Sequence, residues 1–265
     1  MKHLKRLSAL VLAAMMVLAL GATAFADTNS QSITSLTIEK ELTAFNPDGK
    51  GVSAPEISYT YEIKAGEKDV EITDSTGVKA LTNEGVTENM TITGSIAWNA
   101  DETLETASNG KKNTKDIVID FEAVDFEQAG IFRYEITETP SDLAASGVTD
   151  GGSHKRILDL YVKDSDDENA AGAARWVVYG AVLFAPETDN SGAVVSMKKT
   201  TGFVADEAAA ADCYYTLNLT VSQTLVGDRA KNMNKFPFTV SFKNSALTSD
   251  VLLRQETSGT VTAPA

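Results

Sequence analysis

Residues 119–138, Ile-Asp-Phe-Glu-Ala-Val-Asp-Phe-Glu-Gln-Ala-Gly-Ile-Phe-Arg-Tyr-Glu-Ile-Thr-Glu, constrain the fold more than any other stretch of the chain. They read as two strands joined by a Gly-containing turn. In the second strand Phe132, Tyr134 and Ile136 alternate with Arg133, Glu135 and Thr137. A period of two places the first three on one face, toward a core. Glu138 continues that face. A carboxylate there is costly unless it is paired, hydrogen-bonded or protonated, so Glu138 is a candidate functional residue.

Similar strand signals recur along the chain. In residues 35–42, Leu36, Ile38, Lys40 and Leu42 share one face, and Asn46-Pro-Asp-Gly49 is a turn. Residues 57–63, 90–98, 117–121, 156–162, 176–184 and 194–204 are further strand candidates, and 156–184 reads as a hairpin around an acidic loop at 164–169. Residues 101–114 and 139–154 are polar connections. Short strands, frequent turns and no long helical period predict an all-β, Ig-like sandwich. The Ala run at 208–211 lies in an expected linker, residues 208–213. Residues 215–223 and 236–242 repeat the patterns of the first strands. They predict the start of a second, related β domain over 214–265, short enough that its core would be marginal.

The N-terminus carries Lys2, His3, Lys5 and Arg6, an apolar run to about Leu20, and Ala24-Phe25-Ala26. This is the pattern of a secretory signal (residues 1–26) cleaved after Ala26, too short for a comfortable membrane span. The mature chain then begins at Asp27, with the first domain at 27–207 and no membrane span. Removing the three signal cations leaves 20 basic against 37 acidic residues, near −17. Such a surface disfavours nucleic acid and anionic lipid as partners. A single cysteine, Cys213, excludes an internal disulfide. An exported β domain without disulfides needs a large core, a metal or another covalent staple.

Lys40 supplies a possible staple. It shares its strand face with Leu36, Ile38 and Leu42, as Glu138 does with Phe132, Tyr134 and Ile136. Two core-facing ionisable residues in one sandwich are expected neighbours. Alternation alone leaves open a buried salt bridge, or edge positions where both reach water.

At these residues the sequence resembles a known family. Leu36-Thr-Ile-Glu-Lys40, Asp120-Phe-Glu-Ala-Val-Asp-Phe126 leading into Ala129-Gly-Ile-Phe-Arg-Tyr-Glu-Ile-Thr-Glu138, Leu158-Asp-Leu-Tyr-Val162 and Leu219-Thr-Val-Ser-Gln-Thr-Leu-Val-Gly227 carry the likeness. The chain is similar to the streptococcal pilin isopeptide-linkage domains, found in the major pilin of group A streptococcus and related Gram-positive surface proteins. In that family a first-strand lysine joins a last-strand asparagine through an amide, assisted by a glutamate. The resemblance implies Lys40 as nucleophile and Glu138 as proton shuttle. Burial favours a neutral amine and a protonated acid, and a folded core supplies effective concentration. No cofactor is implied.

Two departures follow. The expected Phe-x-Asn motif reads Phe203-Val-Ala205, and Ala205 has no carboxamide. Asp206 and Asp212 are possible substitutes, though strict alternation turns Asp206 away from the face of Phe203 unless an insertion or bulge intervenes. In the second domain Gln223 stands where Lys40 would, so Asn244 has no amine partner. The resemblance also implies a lysine before the last strand as acceptor for sortase polymerisation; Lys198 and Lys199 match its offset, but also read as solvated lysines.

Other constellations carry less. Asp164, Asp166, Asp167 and Glu168 lack the glycine and distal glutamate of an EF-hand and read as a solvated hairpin tip. His154, alone in the mature chain, excludes a His-based zinc cage and disfavours a Ser-His-Asp triad. Cys213 without a base is a weak nucleophile. Trp98 and Trp176 could line a sugar-binding face but fit a core better. The reading is a non-enzymatic structural protein, secreted or on the cell wall: a pilin subunit or adhesin shaft. Its expected partners are other pilin or surface subunits, joined through sortase, and a host ligand. An extracellular glycan- or protein-binding module is the alternative.

Overall fold

The structure is a computed structural model describing residues 32–73, 79–109, 111–165, 171–188, 194–206 and 209–217. The strands run β1 (Ser35–Phe45), β2 (Val52–Ser53), β3 (Ile57–Ala65), β4 (Glu71–Thr73), β5 (Lys79–Glu84) and β6 (Thr91–Ile92). Then come β7 (Ser95–Trp98), β8 (Thr103–Leu104), β9 (Thr114–Asp120), β10 (Gly130–Pro140) and β11 (Val148–Thr149). Last are β12 (Lys155–Asp164), β13 (Trp176–Thr188), β14 (Val194–Lys199), β15 (Gly202–Phe203) and β16 (Asp212–Tyr215). A helical turn, α1 (Leu143–Ser146), precedes β11; the Asp142 carboxylate caps it by accepting from the Ala145 N–H.

Two sheets form the sandwich. One has the order β11-β16-β1-β9-β6, with β15 also on β1; the other runs β14-β13-β12-β10-β3-β7, with the β4–β5 hairpin joined to β10. The inner faces meet as alternation requires. Leu36, Ile38, Leu42, Ile117 and Ile119 face Tyr59, Tyr134, Ile136, Leu158 and Leu160 in one buried cluster. Trp98 belongs to it, edge-to-face with Tyr59.

Residues 119–138 do not pair with each other. β9 lies beside β1 and β6, whereas β10 lies between β12 and β3 in the opposite sheet, so the intervening segment crosses the sandwich. The candidate strand at 90–98 divides into β6 and β7, one per sheet. The polar stretch at 101–114 contains β8 and a 3-10 turn, Ala107–Asn109.

The C-terminal strands differ most from expectation. Residues 194–204 are not one strand: β14 edges the larger sheet, while β15 pairs in parallel with β1, Phe203 opposite Lys40. After residues 204–211 the chain returns to the same edge of β1 as β16, with Leu42 opposite Asp212. Part of the expected linker, and the first residues assigned to a second domain, therefore complete the first sandwich. Residues 1–26, the acidic tip at 166–169, Gln223 and Asn244 lie outside the described residues. Among the described residues no helix is long and apolar enough to cross a membrane.

Candidate functional site

Lys40 sits in the middle of β1 with its side chain inside the sandwich, and the residue is 2% exposed. Its ammonium lies 2.7 Å from Glu138 Oε1 and 2.9 Å from Asp212 Oδ2. Both carboxylates are as deeply buried as the lysine. The Lys40–Glu138 neighbourhood expected from alternation is present. The third member is Asp212.

Register explains each position. Asp212 pairs with Leu42, two residues beyond Lys40 on the same inward face. Counting alternately from Phe203 would turn Asp212 outward. β15 and β16 pair with β1 separately, and this break in pairing resets the phase, so Phe203 and Asp212 both point in. Glu138 pairs with Tyr61 of β3 on one side, and on the other its N–H donates to the His154 carbonyl, 2.8 Å away. Tyr61, across the strand pair, and His154, in the loop before β12, thus flank it, and both reach its carboxylate: the Tyr61 hydroxyl donates to Oε2 at 2.8 Å, and His154 Nδ1 lies 2.9 Å from Oε1.

Asp212 is held as firmly. The Tyr59 hydroxyl donates to Oδ2 at 2.7 Å and the Gly151 N–H to Oδ1 at 2.8 Å. A Cβ on Gly151 would stand 2.3 Å from the Ala211 carbonyl, so this approach requires glycine. The Lys40 ammonium also lies 4.1 Å from the centre of the Tyr59 ring.

The electrostatics follow from burial and charge. Burial opposes the ionisation of Asp212, but the Lys40 charge and three hydrogen bonds outweigh it and hold the carboxyl below its ordinary range. Burial, with Asp212 and Glu138 beside them, pushes the Tyr59 and Tyr61 phenols far up, so both remain donors. The hydrogen bond to Glu138 raises His154 above the usual imidazole range despite some burial.

Arg156 frames the site. It is 1% exposed, and its guanidinium donates to the carbonyls of Gly202, Ser153 and Lys155 and stacks over Phe203 at 4.4 Å. It ties the His154 loop to β15. A cavity of about 10 Å3, room for one water, touches Lys40, Glu138, His154 and Asp212 and meets the surface at Gly152 and Ser153.

Other residues singled out in the sequence lie elsewhere. Ala205, set at the position expected for asparagine, is exposed, and its N–H donates to Glu41. Asp206 accepts from the Thr200 hydroxyl and the Ala209 N–H. Lys198 and Lys199 are exposed on β14, and Lys198 pairs with Glu187 at 2.5 Å. Among the described residues no cluster of histidine, cysteine and carboxylate side chains fits a metal. Sequence reasoning missed Tyr59, Tyr61 and His154 as parts of the site. The tyrosines share a strand face, a usable signal; His154 gave none, because its role depends on a loop meeting β10.

Comparison with known proteins adds the family. A family model described as FctA, a Spy0128-like isopeptide containing domain, matches residues 36–184. That span includes Lys40 and Glu138 but stops short of Asp212. No curated protein matches. Solved structures similar to the chain include the T-13 major pilin of Streptococcus pyogenes, 15% identical, covering 71% of this chain and 53% of that one at a TM-score of 0.38. The T3.2 major pilin of the same organism is 16% identical, covering 69% and 52% at 0.40. A third S. pyogenes major pilin is 20% identical, covering 63% and 50% at 0.37. The chain spans about half the length of these pilins.

Proposed function

The chain belongs to the FctA family of Spy0128-like isopeptide-containing domains, and from that premise we propose that it is a structural subunit of a Gram-positive surface pilus or adhesin shaft, stapled by an amide between Lys40 and Asp212. The observation that carries this reading is one buried amine in hydrogen-bond contact with two buried carboxylates, on the first and last strands and the strand between. A buried lysine needing only a charge partner would be satisfied by one.

The chemistry balances within the cluster. Nζ attacks the Asp212 carboxyl carbon; the C–N bond forms and the C–Oδ2 bond breaks. Of the three protons on Nζ, one stays on the amide and two leave with Oδ2 as water. Glu138, 2.7 Å from Nζ, takes these protons and returns them. The Tyr59 hydroxyl assists the departing Oδ2, and the Gly151 N–H holds Oδ1, the oxygen kept as the amide carbonyl. Rigid strands supply the alignment.

The amide would join β1 to β16, so tension entering at residue 40 would leave at residue 212 without loading the strands between. It would serve in place of the disulfide that a single cysteine precludes. Other subunits are the natural partners in such a shaft, with Lys198 or Lys199 as candidate acceptors for sortase. Export behind residues 1–26 fits this role.

Intact mass tests the link. The folded chain should be lighter than its sequence by one water, Asp212→Asn lighter by one ammonia, and Asp212→Ala unchanged. A wild-type chain at full sequence mass would sink the reading.

A further inference from the structure

His154 is bracketed by carboxylates. Nδ1 lies 2.9 Å from Glu138 Oε1, and Nε2 lies 3.2 Å from Asp150 Oδ1. An ionised carboxylate only accepts, so both ring nitrogens must donate, and the ring that satisfies both contacts is the imidazolium. The His154 side chain is 25% exposed, that of Glu138 1%. The imidazole therefore connects the buried acid to solvent, beside the water-sized cavity.

Charge conservation gives this contact a purpose. Before the reaction Lys40 stands between two carboxylates. The amide removes the charge of Lys40 and that of Asp212 together. Glu138 is left buried, with the Tyr61 hydroxyl on Oε2 and no lysine charge. An unpaired buried carboxylate is costly.

We propose that His154, held by Asp150, is the positioning residue of Glu138 during amide formation and the counter-charge that replaces Lys40 once the amide exists. The proposal rests on the Lys40–Asp212 reading above. An imidazolium on Oε1 is a charge-assisted donor that fixes the Glu138 carboxyl between Nζ and the departing oxygen, along which the proton passes. A neutral imidazole is a weaker donor and holds it less firmly.

The charged and titratable groups around the ring come from every side: Glu138 on β10, Asp150 on its own loop, Asp212 on β16, Lys40 on β1 and Arg156 on β12. The Arg156 guanidinium is occupied by three carbonyls, and the Lys155 ammonium lies 2.8 Å from Glu135. The hydrogen bond to Glu138, helped by Asp150 and Asp212, keeps the ring charged beyond the usual imidazole range.

The two histidines of the sequence are His3 and His154, so a chain starting at Asp27 gives one imidazole signal by NMR. That chain, kept unlinked in urea, is diluted into buffers across a pH series, and water loss is timed by intact mass. Wild-type linking should slow as pH rises through the imidazole titration. His154→Gln should lose that inflection and link about tenfold more slowly at the acid end, the gap between a charge-assisted and a neutral hydrogen bond. Asp150→Asn should move the NMR titration and the inflection down together. In folded Glu138→Gln the titration should fall toward the ordinary imidazole value; an unmoved titration overturns the pairing. Water loss in wild type with the same pH profile in His154→Gln overturns this proposal alone. No water loss in wild type at any pH overturns it together with the link.

Discussion

The larger sheet buries charge on both faces, and the two sites differ in kind. On the inner face one amine meets two carboxylates. On the outer face Arg133 and Asp159 meet one to one, with Nε and one terminal nitrogen each 2.7 Å from a carboxylate oxygen. That pair lies beside a second apolar cluster, Ile131, Tyr161 and Val182, packed with residues of β4, β5 and β13. Both sites are buried, but only the inner one sets one amine against two carboxylates. A guanidinium fork and a carboxylate satisfy each other and stay ionic. An amine between two acids can give one its protons and bond to the other. Burial does not distinguish the two sites; the unequal count of charges, with a tyrosine hydroxyl donating to each inner carboxylate, does, and the proposed amide rests on it.

The largest effect should come from removing the inner amine. Lys40→Met strands two buried carboxylates, a loss on the order of 3–5 kcal/mol for the broken ion cluster, and should forfeit the proposed covalent link as well. Urea unfolding should show that loss, and intact mass should return to the full sequence value. A Lys40→Met chain as stable as wild type would mean that the inner cluster holds nothing together.

The outer pair should behave as an ordinary ion pair. Arg133→Met leaves Asp159 buried and unpartnered. Burial already pushes that carboxyl up in the intact pair, against the pull of Arg133. The loss should approach about 3 kcal/mol while the chain still loses one water. Adding Asp159→Leu should restore most of the stability, because an apolar pair of similar volume is tolerated where half an ion pair is not. Loss of the amide in Arg133→Met, with the fold intact, would show that the two faces are coupled and the contrast is wrong.

The contrast was half legible in the sequence. Alternation assigned Leu36, Ile38, Lys40 and Leu42 inward on β1, and Phe132, Tyr134, Ile136 and Glu138 inward on β10, and both hold. Period two reports which face a residue takes but not what covers that face. Arg133 therefore read as an outward polar residue, although it is 4% exposed, covered on a face that pattern alone leaves to solvent. Alternation also fails where the chain leaves a strand and rejoins it. The break between β15 and β16 hid β16, so the count from Phe203 pointed to Ala205, while Asp212, nine positions beyond Phe203, took the inward site beside Leu42. His154 was invisible for a related reason. A loop residue has no period, and its partner Glu138 lies on a different strand.

The smallest expected effect separates a linked site from an ionic one by its acid response. Glu138→Gln removes the shuttle, so Lys40 and Asp212 should remain a pair of ions. The folded-state carboxyl of Asp212 lies below its ordinary value, with the Lys40 charge as the main cause acting against burial. A carboxyl depressed by folding contributes stability above its ordinary value and loses it as pH falls through the folded value. If the proposed amide forms in the wild type, that carboxyl no longer exists there and this part of the acid loss is absent. His154 acts with the opposite sign: raised by folding, it stabilises fully below its ordinary value and is lost as pH rises through the folded one. Glu138→Gln removes the main source of that elevation. Both terms widen the gap between wild type and Glu138→Gln toward acid. Urea midpoints from neutral pH to pH near 3 should therefore diverge, with the variant falling faster. Parallel curves, with both chains at full sequence mass, would mean that Asp212 titrates alike in both and was never joined to Lys40.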